Sequence, residues 1–215
     1  MTLDILKDEQ FQKLEKEFRF LARARGNTLD QLSYIIVDTE TTGLEPAQSE
    51  LTEIGAIKVE GKELKDIFSS LIHPKKPIPP EITRLTGIDD ELVRDYPPAA
   101  DVLAKFFEFI GSAILVAHNV EFDIPFLKHH LKIENDKELT NETICTVKVS
   151  RYLLPQLSNH KLHTVANHLG LVVANRHRAM GDAELTYQVW LKFLDLLRDK
   201  GINHKPDLDL LISRL

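Results

Sequence analysis

The sequence predicts an α/β fold: a mixed five-stranded sheet, its first three strands antiparallel, flanked by helices. Two observations carry that expectation. Strand-like segments near 34–39, 51–59 and 64–72 are joined by short connections around 43–50 and at Gly61-Lys62, too short for a crossover, so these neighbours must run antiparallel. The later strand-like segments, near 113–117 and 142–146, alternate with helical patterns near 97–110, 122–132, 161–169 and 179–198, and such alternation implies parallel pairing.

The first strand opens on Tyr34-Ile35-Ile36-Val37, an unbroken apolar run that fits a central strand buried on both faces and closed by the turn signal Thr42-Gly43. It ends in carboxylates. Asp38 and Glu40 stand at i and i+2, on the same side of a strand and two rises of about 3.3 Å apart. Like charges so close either share a proton through a raised pKa or are neutralised by cations, and oxygen-only ligands favour a hard ion such as Mg²⁺ or Mn²⁺ over zinc. A lone Asp-x-Glu is more often a turn cap beside a solvated acid, so its meaning depends on its company.

The fourth strand-like run, Leu115-Val116-Ala117, leads through His118-Asn119 into a helix carrying Asp123, Phe126, Leu127 and Leu131, with Pro125 fitting only near its start. Helical spacing puts Asp123 on a stripe with Phe126, Leu127 and His130, while Glu121 aligns with Pro125, Lys128 and Lys132. Asp123 is therefore the inward acid. Cys145 lies in the apolar stretch Thr143–Thr146 and reads as a small core residue. His160, His163 and His168 do not share one helical face and have no cysteine beside them, so a solvated surface explains them better than a zinc site.

The long last helix repeats the pattern. Asp182 lies on a stripe with Thr186, Val189 and Phe193, whereas Glu184 lies with Gln188, Leu191, Lys192 and Asp195. His177 stands upstream in what looks like a loop, able to swing beside Asp182, and histidine has the ordinary pKa best suited to proton transfer near neutrality.

Together these segments resemble the DEDDh exonucleases, the DnaQ-like family that includes the proofreading epsilon subunit of bacterial replicative polymerase. Asp38-Thr39-Glu40-Thr41-Thr42-Gly43-Leu44 is similar to the family's first motif, Val116-Ala117-His118-Asn119 through Phe122-Asp123 to its second, and His177-Arg178-Ala179 through Asp182-Ala183 to its third. Pro77-Ile78-Pro79 and Leu85-Thr86-Gly87-Ile88 resemble the segment that lies beside the terminal nucleotide in that family. The resemblance spans roughly residues 34–199 and implies a ribonuclease H-like fold, in keeping with the mixed sheet. It implies that Asp38, Glu40, Asp123 and Asp182 hold two divalent cations, Mg²⁺ or Mn²⁺, that His177 is the general base, and that nucleoside 5′-monophosphates leave from a 3′ end. It also implies that Thr41, Thr42, Leu44, Leu85 and Ile88, with His118, Asn119 and Phe122, receive the terminal nucleotide, although Leu85, Ile88 and Phe122 are also readable as core, Phe122 equally so.

The expected partners are single-stranded or frayed 3′ ends of DNA, RNA being an alternative, and a DNA polymerase or another replication or repair protein. RNA trimming of the ribonuclease T or oligoribonuclease kind uses the same site, and a polymerase-bound adaptor with a dispensable nuclease site is a reading of another class. A net charge of −6 excludes coating of duplex DNA by bulk electrostatics, but Lys75, Lys76, Lys148, Arg151, Lys161, Arg176 and Arg178 are candidates for local phosphate contacts. The 215 residues divide in expectation into an N-terminal helical extension (1–33), an exonuclease domain (34–199) and a C-terminal tail (200–215). Residues 4–25 carry an amphipathic pattern, and the tail ends in a leucine-rich stretch. A single cysteine, no signal peptide and no membrane-length apolar run point to the cytoplasm.

Overall fold

The apolar run from Tyr34 forms the central strand. In a computed structural model, which describes residues 26–172 and 177–213, β1 (Ser33–Thr41) lies in the middle of a five-stranded sheet ordered β3-β2-β1-β4-β5. β2 (Leu51–Glu60) pairs antiparallel with β1, and β3 (Glu63–Leu71) antiparallel with β2. β4 (Ile114–Ala117) and β5 (Thr143–Cys145) add on the other side in parallel, each preceded by a helix-containing connection. The mixed topology matches expectation.

The helices are α1 (Pro80–Thr86), α2 (Asp90–Val93), α3 (Ala99–Ile110), α4 (Val120–Asn135), α5 (Thr146–Leu153), α6 (Leu162–His168), α7 (Ala179–Asp199) and α8 (Lys205–Ile212). The period of two along β1 splits the core between the two faces of the sheet. Tyr34 and Ile36 meet Trp190 and Phe193 of α7; Ile35 and Val37 meet Phe106 of α3 and Phe126 of α4. All four strand residues are fully buried. The Tyr34 and Trp190 rings pack edge to face at 5.3 Å, and truncating Trp190 to alanine would cost about 3–5 kcal/mol.

Several elements depart from the sequence expectation. Helix α4 starts at Val120 instead of 122, so Pro125 sits in its second turn, where its missing N–H leaves the Glu121 carbonyl without the usual donor. Helices α1, α2, α5 and α8 are additional to those expected. The β-branched Thr146, Val147 and Val149 disfavour a helix locally; α5 forms because Val149 and Leu153 bury in the α7-side core. In the C-terminal segment, α8 places Leu208 in that same core, and the Leu29 N–H donates to the Asn203 carbonyl at 2.7 Å. The amphipathic pattern at 4–25 lies outside the described residues. Among those described, no helix is long and apolar enough to cross a membrane.

Candidate functional site

The alternation that builds the core also builds the site. Asp38 and Glu40 continue the side of β1 that Tyr34 and Ile36 turn to α7, while Thr39 turns to the side of α4. Asp182, in the first turn of α7, completes a group in which Asp38, Glu40 and Asp182 each bring a carboxylate oxygen within 4.8 Å of the others. Just upstream, the His177 N–H donates to Asp182 Oδ2 at 3.1 Å. His177 has φ 59°, a left-handed conformation that few non-glycine residues adopt and that is found disproportionately at functional sites.

Asp123 arrives from the opposite face. It is 3% exposed on α4, and its Oδ1 accepts from the Thr39 backbone N–H at 2.9 Å and from the Thr39 hydroxyl at 2.8 Å. Glu121 and Glu184, the acids that helical phase set aside, are exposed. Asp123 stands outside the close trio but is near enough to act on its charges.

The electrostatics are those of negative charge packed together, with Arg178 beside Glu53 only partly opposing it. Burial, then repulsion from Asp123 and Glu40, holds the Asp38 carboxyl well above the usual range. Burial, Asp182 and Glu53 push Glu40 up to about 8, and burial pushes Asp123 up to about 7 against the opposing pull of its Thr39 hydrogen bonds. An all-carboxylate donor set whose members repel one another fits a hard divalent cation, which would relieve that repulsion. Asp38, Glu40 and Asp182 are the residues placed to hold it.

Sequence reasoning missed the parts that seat α7. Glu53 lies opposite Glu40 in the β1–β2 register and is buried; its Oε2 accepts from Arg178 Nε at 3.0 Å and from the Ala179 N–H at 2.9 Å, and its Oε1 accepts from Arg178 Nη2 at 2.9 Å. Two residues on, Gly55 lies under the helix start: a Cβ there would fall 2.4 Å from both the Ala179 carbonyl carbon and the Met180 nitrogen. The absence of a side chain at 55 is what lets α7 rest on β2. The signal was available, since Glu53 interrupts the apolar strand Leu51–Ile57 as Asp38 interrupts its own.

The expected nucleotide contacts divide into two groups. Leu44 and Leu85 are exposed, whereas Ile88 is fully buried with Leu71, Ile78 and Val93 and supports its loop from beneath. Thr41 is buried with its hydroxyl donating to the Gly43 carbonyl, and the Thr42 hydroxyl oxygen accepts from the Glu50 N–H, so both stabilise the turn after β1. Phe122 is half-buried against Phe126, with ring centroids 5.2 Å apart. Asn119 has φ 84°. The His118 ring is held at both nitrogens, Nε2 2.9 Å from the His160 carbonyl and Nδ1 2.8 Å from the Thr146 hydroxyl. A carbonyl only accepts, so Nε2 carries the proton, and in the neutral ring Nδ1 accepts from Thr146. Burial pushes the His118 pKa down to about 4, which keeps that ring neutral.

With this sheet and its carboxylate cluster goes a match to a family of nuclease hydrolases, which sets the class. The chain belongs to the exonuclease family described by the RNase T sequence profile, which matches residues 35–190. It is 35% identical over 175 residues to DNA polymerase III subunit epsilon of Aquifex aeolicus, covering 81% of this chain and 86% of that protein. It is 44% identical over 160 residues to the PolC-type DNA polymerase III of Clostridium perfringens, covering 74% of this chain but only 11% of that protein. The chain thus spans 11–13% of the length of PolC-type relatives. The solved structure of exonuclease X in complex with 5′ overhanging duplex DNA superposes with a TM-score of 0.64 at 28% identity, over 75% of this chain and 91% of that one.

Proposed function

We propose that this chain is a DEDDh 3′-to-5′ exonuclease that removes nucleoside 5′-monophosphates from DNA ends during proofreading or repair, in the cytoplasm and beside a DNA polymerase. The observation that carries this reading is the convergence of Asp38, Glu40 and Asp182 within 4.8 Å, with His177 tethered to Asp182 at the edge of the group. In this reading Asp38, Glu40 and Asp182, with Asp123 oriented by Thr39, would hold two cations, Mg²⁺ or Mn²⁺. Bound cations would supply neutralisation of charge on the attacking and departing oxygens of the phosphodiester. His177 takes the proton of the attacking water as the new oxygen–phosphorus bond forms, and the bond from phosphorus to the upstream 3′ oxygen breaks. Leu44 and Leu85, both exposed, suit apolar contact with the terminal base without regard to its identity.

The choice of DNA rests on the polymerase and DNA-bound relatives. The test uses 5′-labelled single-stranded DNA, a mismatched primer-template and RNA, each with Mg²⁺ or Mn²⁺ and with EDTA. Shortening of DNA from the 3′ end that EDTA abolishes is the expected result. Activity surviving EDTA overturns the metal reading, faster attack on RNA replaces the DNA reading with RNA trimming, and attack on nothing favours the adaptor. His177→Ala should lower turnover by about 10²–10⁴ while fold and Mn²⁺ binding persist.

A further inference from the structure

Two clefts meet at His118. One, of about 350 Å³, is lined by His177 and Asp182 together with His118 and Lys161; the other, of about 490 Å³, continues past the same two residues to Asn119, Asn159 and Arg151. His118 and Lys161 are common to both, so the track is continuous from the candidate catalytic group to Arg151 at the end of α5.

The wall of this track is held in place by several bonds. The His160 carbonyl is bound by His118, the His160 ring lies 2.8 Å from the Ser150 hydroxyl, and Asn159 Oδ1 accepts from the Lys161 N–H at 3.1 Å and from the Thr164 hydroxyl at 2.8 Å. Loop 159–161 is thereby tied to α5, to α6 and to the end of β4, and it presents Lys161 from a fixed backbone.

Charge then separates this track from the other basic residues singled out for phosphate contacts. Lys75 is engaged by Glu134, Lys148 by Glu121 at 3.5 Å and Arg178 by Glu53, and Lys76 donates to the Gln48 carbonyl. Arg176 lies outside the described residues. Among the described residues, Arg151 and Lys161 are exposed and make no ion pair, and the only acid lining either cleft is Asp182, in the catalytic group itself. Two uncompensated cations in a chain of net charge −6 favour an anionic ligand, and a polymer whose end sits at Asp182 supplies one phosphate after another along the track.

We infer that the cleft bounded by His118, Arg151 and Lys161 is a subsite for the phosphodiester backbone of a single strand, holding the nucleotides upstream of the bond that is cut. This rests on the exonuclease reading for its orientation. Each lost phosphate contact should lower the salt dependence of single-strand binding by about 0.7 in the slope of log affinity against log salt.

The test compares two substrates, thymidine 5′-(p-nitrophenyl phosphate), which ends at the cleavage site, and an octathymidylate, which runs into the cleft. In the double variant Arg151→Ala/Lys161→Ala, KM for the octamer should rise about tenfold and the salt slope should fall by about 1.4. Arg151 lines only the cleft away from the catalytic group, so Arg151→Ala alone should raise the octamer KM less while leaving kcat and hydrolysis of the nucleotide ester unchanged. Arg151→Lys/Lys161→Arg should restore the octamer KM. An unchanged octamer KM, or equal losses on both substrates, overturns the subsite. Fluorescence anisotropy of labelled octathymidylate in Ca²⁺ decides the matter without turnover: Kd should rise about tenfold in the double variant, and equal Kd values overturn the inference. A wild-type chain that binds the octamer through these residues but hydrolyses neither substrate would overturn the exonuclease reading and leave the subsite standing.

Discussion

Asp38 and Asp182 end within the same carboxylate group, yet they reach it by opposite means. Asp38 is placed by local geometry: it pairs with Gly55 across β1 and β2, two residues beyond the last β4 pairing at Ile36, where the sheet opens on one side. Asp182 is placed by docking. Its helix begins at Ala179 without a side-chain N-cap of its own, and the start is seated by Glu53 and by the space that Gly55 leaves, across 126 residues of chain. A strand therefore fixes its acid through periodicity, and a helix fixes its acid through one partner's charge and another's lack of a side chain.

Gly55→Ala should break this contrast most severely. The added methyl would meet backbone, not a flexible side chain, so α7 must lift away from β2 and carry Asp182 and His177 with it. Turnover should fall more than about 10²-fold, with a loss of roughly 1–3 kcal/mol in stability from overpacking. Assays of turnover beside thermal melting would show it, and full turnover in a folded variant would mean that α7 does not depend on that contact.

Glu53→Ala should act in the same direction but less. It leaves the Ala179 N–H and a half-exposed Arg178 without their partner, a cost of about 1–3 kcal/mol that solvent around Arg178 brings toward the lower end. Because the helix start is loosened rather than expelled, kcat should fall about tenfold with KM for DNA little changed, and Glu53→Gln should recover part of the loss. A stability loss with kcat intact would make Glu53 a fold residue only.

The same contrast explains what the sequence disclosed. Alternation identified Asp38 and Glu40 on one side of a buried strand, and helical phase separated Asp123 from Glu121 and Asp182 from Glu184, because each judgement needs only residues within a few positions. Glu53 stands out locally as an acid in an apolar strand, but its role and that of Gly55 exist only once α7 is folded against β2. Helix α1 escaped for a different reason: Pro80 at its start and Gly87 at φ 74° beyond its end are ordinary start and stop signals, but the stretch was read for its resemblance to a nucleotide-contacting loop. Ile88 is readable from the sequence either as a nucleotide contact or as core, because no local pattern distinguishes an apolar residue beneath a loop from one above it.

Proton linkage sharpens the comparison at lower cost to the fold. Glu40 moves from 4.5 to about 8 and Asp123 from 3.8 to about 7 on folding, so the folded chain retains protons that the unfolded chain releases. Their contribution to stability is fully present below about pH 4 and is lost as the pH rises through 7 and 8. The metal-free chain in EDTA should melt about 5 °C lower at pH 8 than at pH 6, Mn²⁺ should narrow that gap, and Glu40→Gln should narrow it as well, Asp123 keeping its share. A gap of the same size in Glu40→Gln would trace the effect to other groups.

The smallest expected effect tests Asp123, the acid that belongs to neither route. It has the burial of a core residue, but its orientation comes from the one residue of β1 between Asp38 and Glu40 that faces the other side of the sheet. Thr39→Val keeps the shape and the backbone donor while deleting the hydroxyl donor at 2.8 Å. One of two hydrogen bonds to Asp123 remains, so the fold should lose about 1 kcal/mol or less and the Mg²⁺ concentration for half-maximal turnover should rise about two- to fivefold. Thr39→Ser, which restores the hydroxyl, should return the metal requirement to normal. If Val and Ser behave alike, the backbone N–H alone orients Asp123, and the alternation of β1 would then set all three of its acid contacts without help from the Thr39 side chain.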